Sequence, residues 1–77
     1  MMIRMTLEKV MAFWKRQPFA PFDIRISDGR VLTVDHPDFL MRSRNGRTVT
    51  FTTEGDREIV IDVAHITELE VNNTTAA

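Results

Sequence analysis

The stretch Phe22-Asp23-Ile24-Arg25-Ile26-Ser27-Asp28-Gly29-Arg30-Val31-Leu32-Thr33-Val34 decides the fold class. Phe22, Ile24 and Ile26 alternate with Asp23, Arg25 and Ser27, the period of a strand with one buried face. Asp28-Gly29 supplies a hairpin turn that accepts positive φ, and Arg30 opens a return strand with Leu32 and Val34 inward. Further along, His36-Pro37-Asp38 interrupts the pattern. Proline has no N–H for the ladder, so a bend, bulge or edge is expected there. Phe39 and Met41 resume the inward alternation up to Ser43-Arg44. Asn45-Gly46 is the strongest hairpin signal in the chain. After it, Val49 and Phe51 share one face while Thr48, Thr50 and Thr52 share the other. Glu54-Gly55-Asp56 makes a third turn before Ile59, Ile61 and Val63. Ala64-His65-Ile66 reads as a single turn, and Leu69 and Val71 as a last short strand.

Upstream the period changes to that of a helix. Thr6 is a suitable N-cap, with Glu8 in the first turn where the helix dipole favours an acid. Leu7, Val10, Met11 and Trp14 fall at i, i+3, i+4 and i+7, with Phe13 at the edge of the stripe. The expected helix covers about residues 6–17, ending before Pro18, which restricts Gln17. Gln17-Pro18-Phe19-Ala20-Pro21-Phe22 is a stiff connector whose phenylalanines anchor the helix to the first strand. The expected architecture is therefore mainly β, of the α+β class. A single domain over residues 1–71 places an N-terminal helix over a strongly bent antiparallel sheet or small SH3-like or Sm-like barrel of five or six strands. Residues 72–77 are expected to fray, having nothing to bury.

Composition narrows the function. The chain has 77 residues, 43% hydrophobic and 27% charged, ordinary for one small globular domain. It holds no cysteine, which excludes disulfides, thiolate zinc sites and a cysteine nucleophile. A domain of this size buries only about 60% of its unfolded surface, so tight packing or self-association must compensate. The formal net charge is −1, which advertises neither a nucleic acid nor a membrane. Charge is nevertheless segregated. Residues 1–22 carry Arg4, Lys9, Lys15 and Arg16 against Glu8, whereas residues 54–77 carry six acids against Arg57. Opposite charges of this kind pair across neighbouring strands. The opening Met1-Met2-Ile3-Arg4-Met5 lacks the features of a signal peptide, and no apolar run is long enough to span a bilayer. A cytoplasmic protein with no membrane partner is expected.

Several of these residues carry a resemblance. Gln17-Pro18-Phe19-Ala20-Pro21-Phe22, Ser27-Asp28-Gly29-Arg30, His36-Pro37-Asp38-Phe39, Asn45-Gly46-Arg47, Ile61-Asp62 and Ile66-Thr67-Glu68-Leu69-Glu70 together resemble a family of short uncharacterised bacterial proteins. That resemblance implies no activity. The helix, the Asp28-Gly29-Arg30 hairpin and the turn at His65-Ile66 are more weakly similar to Sm-like proteins, which implies a small barrel and RNA binding by an oligomer. Only His65 matches the residue pair that Sm-like proteins place before their last strand.

Three candidate constellations stand out. Arg42, Arg44 and Arg47 surround Asn45-Gly46, with Arg42 and Arg44 on one face, and could clasp phosphates or an acidic surface. No aromatic residue lies between Arg42 and Arg47 to stack bases, and a charged hairpin tip also serves to keep an edge solvated. His36 and Asp38 project together if their segment is extended, although a catalytic zinc would need a third ligand and only His65 remains as another imidazole. His65 itself is expected to pack beneath the last strand. No nucleophile elbow or phosphate-cradling glycine loop occurs, so no catalytic, metal or cofactor site is expected. The expected function is a small non-catalytic interaction module that associates with itself or another protein. Arg42, Arg44, Arg47, His36 and His65 are its candidate binding residues, and RNA is the alternative partner.

Overall fold

The computed structural model describes residues 5–53 and 55–72. One helix and six strands follow one another as α1 (Leu7–Trp14), β1 (Phe22–Ile26), β2 (Val31–Val34), β3 (Leu40–Arg42), β4 (Thr48–Thr52), β5 (Glu58–Asp62) and β6 (Ile66–Val71). Single 3-10 turns occupy Pro37–Phe39 and Val63–His65. The α+β class is as expected, and the strands divide into two antiparallel three-stranded sheets, ordered β2-β1-β6 and β3-β4-β5. The chain passes from one sheet to the other at each 3-10 turn. No helix among the described residues is long and apolar enough to cross a membrane.

Thr6 caps α1 as its side chain predicts, accepting from the Lys9 N–H at 3.3 Å. The helix is shorter than the expected 6–17: it stops at Trp14, with Lys15 as its C-cap. The cause lies beyond it. Phe19 must reach the Phe22 ring, 6.1 Å away between centroids, and Trp14 Nε1 donates to the Pro37 carbonyl at 2.6 Å. Both contacts draw the chain off the helix axis before Pro18. Val10 and Met11 are buried, while Leu7, Phe13 and Trp14 flank them half-buried.

β1 is the central strand of its sheet. Phe22 faces Val34 on one side and Val71 on the other, and Ile24 lies between Leu32 and Leu69. Its inward residues Phe22 and Ile24 are fully buried, with Ile26 nearly so. A bulge at Arg25–Ile26 advances the register so that Ile26 meets Ile66. β6 is secured past its end by the Asn72 N–H, which donates to the Pro21 carbonyl at 2.9 Å. Asn72 is thus held in place, and the rest of the expected frayed tail lies outside the described residues.

In the second sheet Val49 and Phe51 point inward as expected, opposite Ile61 and Ile59 on β5. β3 departs from expectation. Leu40 is buried and Met41 is 63% exposed, the reverse of the sequence reading. The reason is the 3-10 turn at Pro37–Phe39, which rotates the chain by about 120° per residue where a strand rotates by 180°. The turn resets the phase of β3, and the hairpin at Asn45-Gly46 restores the expected phase in β4. A similar shift affects His65. The Asp62 carboxylate accepts from the Ala64 N–H at 2.9 Å and tightens the Val63–His65 turn. Val63 is buried by that turn and His65 is exposed, so His65 does not pack beneath the last strand.

The three hairpins share one design, a tight turn followed by a residue with positive φ. The residue is Gly29 (φ 96°) in the first, Gly46 (φ 72°) in the second and Asp56 (φ 62°) in the third. Each donates its N–H three residues back, to the carbonyls of Ile26, Ser43 and Thr53 respectively. The third turn therefore places an aspartate, not Gly55, in the left-handed position. Aspartate tolerates that region at some cost. Asp56→Gly is expected to stabilise the fold by about 0.5–1 kcal/mol, read as a rise in the urea midpoint with an unchanged slope. Phe22→Ala is expected to cost about 3–5 kcal/mol, comparable with the whole stability of so small a domain. Its far-UV circular dichroism should show no cooperative melt, whereas Phe22→Leu should retain one.

Candidate interaction surface

The outward faces of the two sheets differ in chemistry. On β2-β1-β6 the outward residues include a network of paired charges, with Val31 an exposed aliphatic side chain beside Arg25. Arg25 contacts Glu68 at 2.9 Å and Glu70 at 3.2 Å, and Thr33 donates to Asp23 at 2.7 Å. The hydrogen bond that Arg25 donates to Glu70, followed by the charges of the nearby acids, holds the guanidinium above its ordinary pKa. The acids of the C-terminal segment are thus paired across strands with Arg25, which lies outside the basic segment 1–22. Such a face is satisfied by its own residues.

The outward face of β3-β4-β5 is not. Its middle row runs Met41, Thr50, Val60 across the three strands. Met41 is 63% and Val60 66% exposed, and Thr48 and Thr52 extend an uncharged stripe on either side of Thr50. Acids occur only at its margin, where Glu58 and Asp62 flank Val60 along the edge strand β5. The two large apolar side chains stand on the outer strands of this sheet with Thr50 between them, in one exposed and uncharged row.

The arginines expected to cluster at the second hairpin diverge. Ser43 Oγ donates to Asn45 Oδ1 at 2.5 Å, and the Arg47 N–H donates to the same oxygen at 2.8 Å, which shapes a compact tip. Arg44 is exposed in that tip. Arg42 lies opposite Val49 and borders a groove of about 330 Å³ with Leu7, Glu8, Met11, Ala12 and Lys15 of α1 and its cap. Arg47 borders a different groove beside Thr6, Leu7 and Val63, and its carbonyl accepts from the Val63 N–H at 2.8 Å. Strand phase and the length of the turn, not sequence proximity, set where each guanidinium goes.

The histidines are also separate. His36 is exposed at the first 3-10 turn, its ring edge-on to Phe39 with centroids 5.5 Å apart. Pro37–Phe39 is helical, so His36 and Asp38 do not lie along an extended segment as a pair would require. His65 is at the opposite turn, where its carbonyl accepts from the Ser27 N–H at 2.8 Å. It borders a groove of about 310 Å³ with Ser27, Asp28, Arg30, Val60 and Asp62. Among the described residues no three histidine or carboxylate side chains are grouped to hold a metal ion.

Sequence reasoning missed Lys15, Val60 and Met41 as surface determinants. Val60 could have been found, because it lies between the inward positions Ile59 and Ile61. Met41 could not, since its phase depends on the 3-10 turn. Lys15 gains its importance only from the arrival of Arg42 across the groove. No family model, curated protein or solved structure matches the chain, so the surface is read from its own chemistry.

Within the first hairpin the Asp28 carboxylate accepts the Arg30 N–H at 3.0 Å and the Arg30 Nε at 2.8 Å. The backbone donor first, and then the guanidinium, hold the Asp28 carboxyl below its ordinary pKa. Because the folded state binds this proton more weakly, its contribution to stability is complete above the ordinary carboxyl value. It is lost as pH falls through the lower folded value. Asp28→Ala is therefore expected to melt below the wild type at neutral pH. The gap should narrow as pH falls below the ordinary carboxyl range, as thermal scans across that range would record.

Proposed function

We propose that this protein is a small non-catalytic interaction module that associates with further copies of itself through the β3-β4-β5 sheet. The observation that carries this reading is the exposed row Met41-Thr50-Val60. Burying two such side chains against a partner contributes roughly 25 cal/mol per Å² of apolar surface covered. That gain matters most to a domain whose own core is small. Threonines around the row add hydroxyls that hydrogen-bond without the desolvation cost of charge. The other sheet offers no comparable face, since its charges already satisfy one another.

A phosphate-clasping role draws less support from this arrangement. Arg42 and Arg47 border separate grooves, leaving Arg44 alone at the hairpin tip. Sequence-independent binding of RNA requires several cations along one track, together with stacking aromatics.

Association stabilises only the folded state, so the melting temperature of the wild type should rise with protein concentration. Light scattering over the same dilution series should give a mass above that of one chain. Val60→Lys places a charge in the row at a site that is already solvated. It should remain folded, scatter as a single chain and melt at a temperature independent of concentration. A wild type that is monomeric with a constant melting temperature up to millimolar concentration would remove the reading.

A further inference from the structure

The groove between α1 and β3 holds an unusual combination. Its apolar lining comes from Leu7, Met11 and Ala12, while Lys15 and Arg42 both stand at its border. Arg25 and Arg30, in contrast, have carboxylate partners within the same chain. No carboxylate among the described residues forms an ion pair with Lys15 or Arg42. Glu8, the acid bordering the groove, is two helical turns and about 10 Å along the axis from Lys15. Two cations beside an apolar strip complement a group that is apolar at its centre and anionic at its ends.

The same chain carries a complementary element elsewhere. On the edge strand β5 the outward residues are Glu58, Val60 and Asp62, an acid, an exposed aliphatic side chain and a second acid. The acids are spaced by four residues, about 13 Å along the strand, with Val60 midway. Apolar meets apolar and acid meets base if this stripe is laid on the groove.

We propose that the β5 stripe Glu58-Val60-Asp62 of one copy docks in the α1–β3 groove of the next, with its acids facing Lys15 and Arg42. The inference rests on the self-association read above and keeps Val60 as the shared residue, with the α1–β3 groove as the second surface in place of Met41 and Thr50. Groove and stripe are different surfaces of one chain, so the contact is heterologous. Each bound copy presents a fresh groove at one end and a fresh stripe at the other, giving a ring if the rotation closes and a filament if it does not. Charge complementarity sets the register and makes the contact sensitive to salt.

The test uses two variants of the full chain and their mixture, with mass read by sedimentation equilibrium. Arg42→Glu spoils the groove and leaves the stripe intact, while Val60→Lys spoils the stripe and leaves the groove intact. Each alone should sediment as a single chain, and the equimolar mixture should give a one-to-one dimer and nothing larger. Loss of wild-type association as salt rises from low to high concentration should accompany this. If Arg42→Glu fails to fold by circular dichroism, Lys15→Glu, exposed at the helix end, replaces it. Wild-type association by the groove variant would overturn the docking geometry and leave self-association standing. Variants that are single chains alone and stay so when mixed would also overturn it, because a symmetric contact cannot be rescued by complementation. A wild type that never associates would sink both readings together.

Discussion

Phe22 is the contact on which the rest depends. Its ring is fully buried and touches Phe13 of the helix, with centroids 5.5 Å apart, and Phe19 of the connector at 6.1 Å. On the backbone level the same residue opens β1 and pairs with Val34 and Val71 at once. Helix, connector and both neighbouring strands therefore converge on one side chain. Without disulfide or metal, a domain of this size needs such a hub, because its burial is spread over few residues. Trp14 completes the closure from the other side by its hydrogen bond to Pro37, which ties the helix to the turn between the sheets.

That closure has consequences for the surface. Val10 and Met11 of the helix share one buried core with the inward residues of both sheets, which leaves the outward faces and the groove beside α1 exposed. One outward face is consumed by Arg25 and its acids. The other carries Met41 and Val60 around a threonine centre, and β3 brings Arg42 to the helix beside Lys15. The interaction reading follows from this unequal division. The proposed association draws on the exposed Met41 and Val60 of that row.

The legible features were local ones. Alternation located β1, β4 and β5, Asp28-Gly29 and Asn45-Gly46 located two hairpins, and Thr6 located the start of the helix. Each rests on a preference exerted over a few residues. The misread features all follow a 3-10 turn or a distant contact. Met41 and Leu40 exchanged faces because the turn at Pro37–Phe39 reset the strand phase. His65 moved to the surface because Asp62 capped a turn that buries Val63 instead. The helix lost its last expected turn where Trp14 reaches Pro37 far along the chain and Phe19 packs on nearby Phe22. For the candidate surface, the arginine trio was legible as residues but not as an arrangement.

The amino-acid sequence by itself determined the class of the fold, the order of helix and strands, and the segregation of basic and acidic segments. These follow from side-chain periodicity, turn chemistry and charge, which act between near neighbours. Only the tertiary structure decided that the strands form two sheets, that β1 lies between β2 and β6, and that Lys15 and Arg42 share one groove. Those outcomes depend on hydrophobic burial around Phe22, a force without direction or sequence range, whose result is set by how whole elements pack.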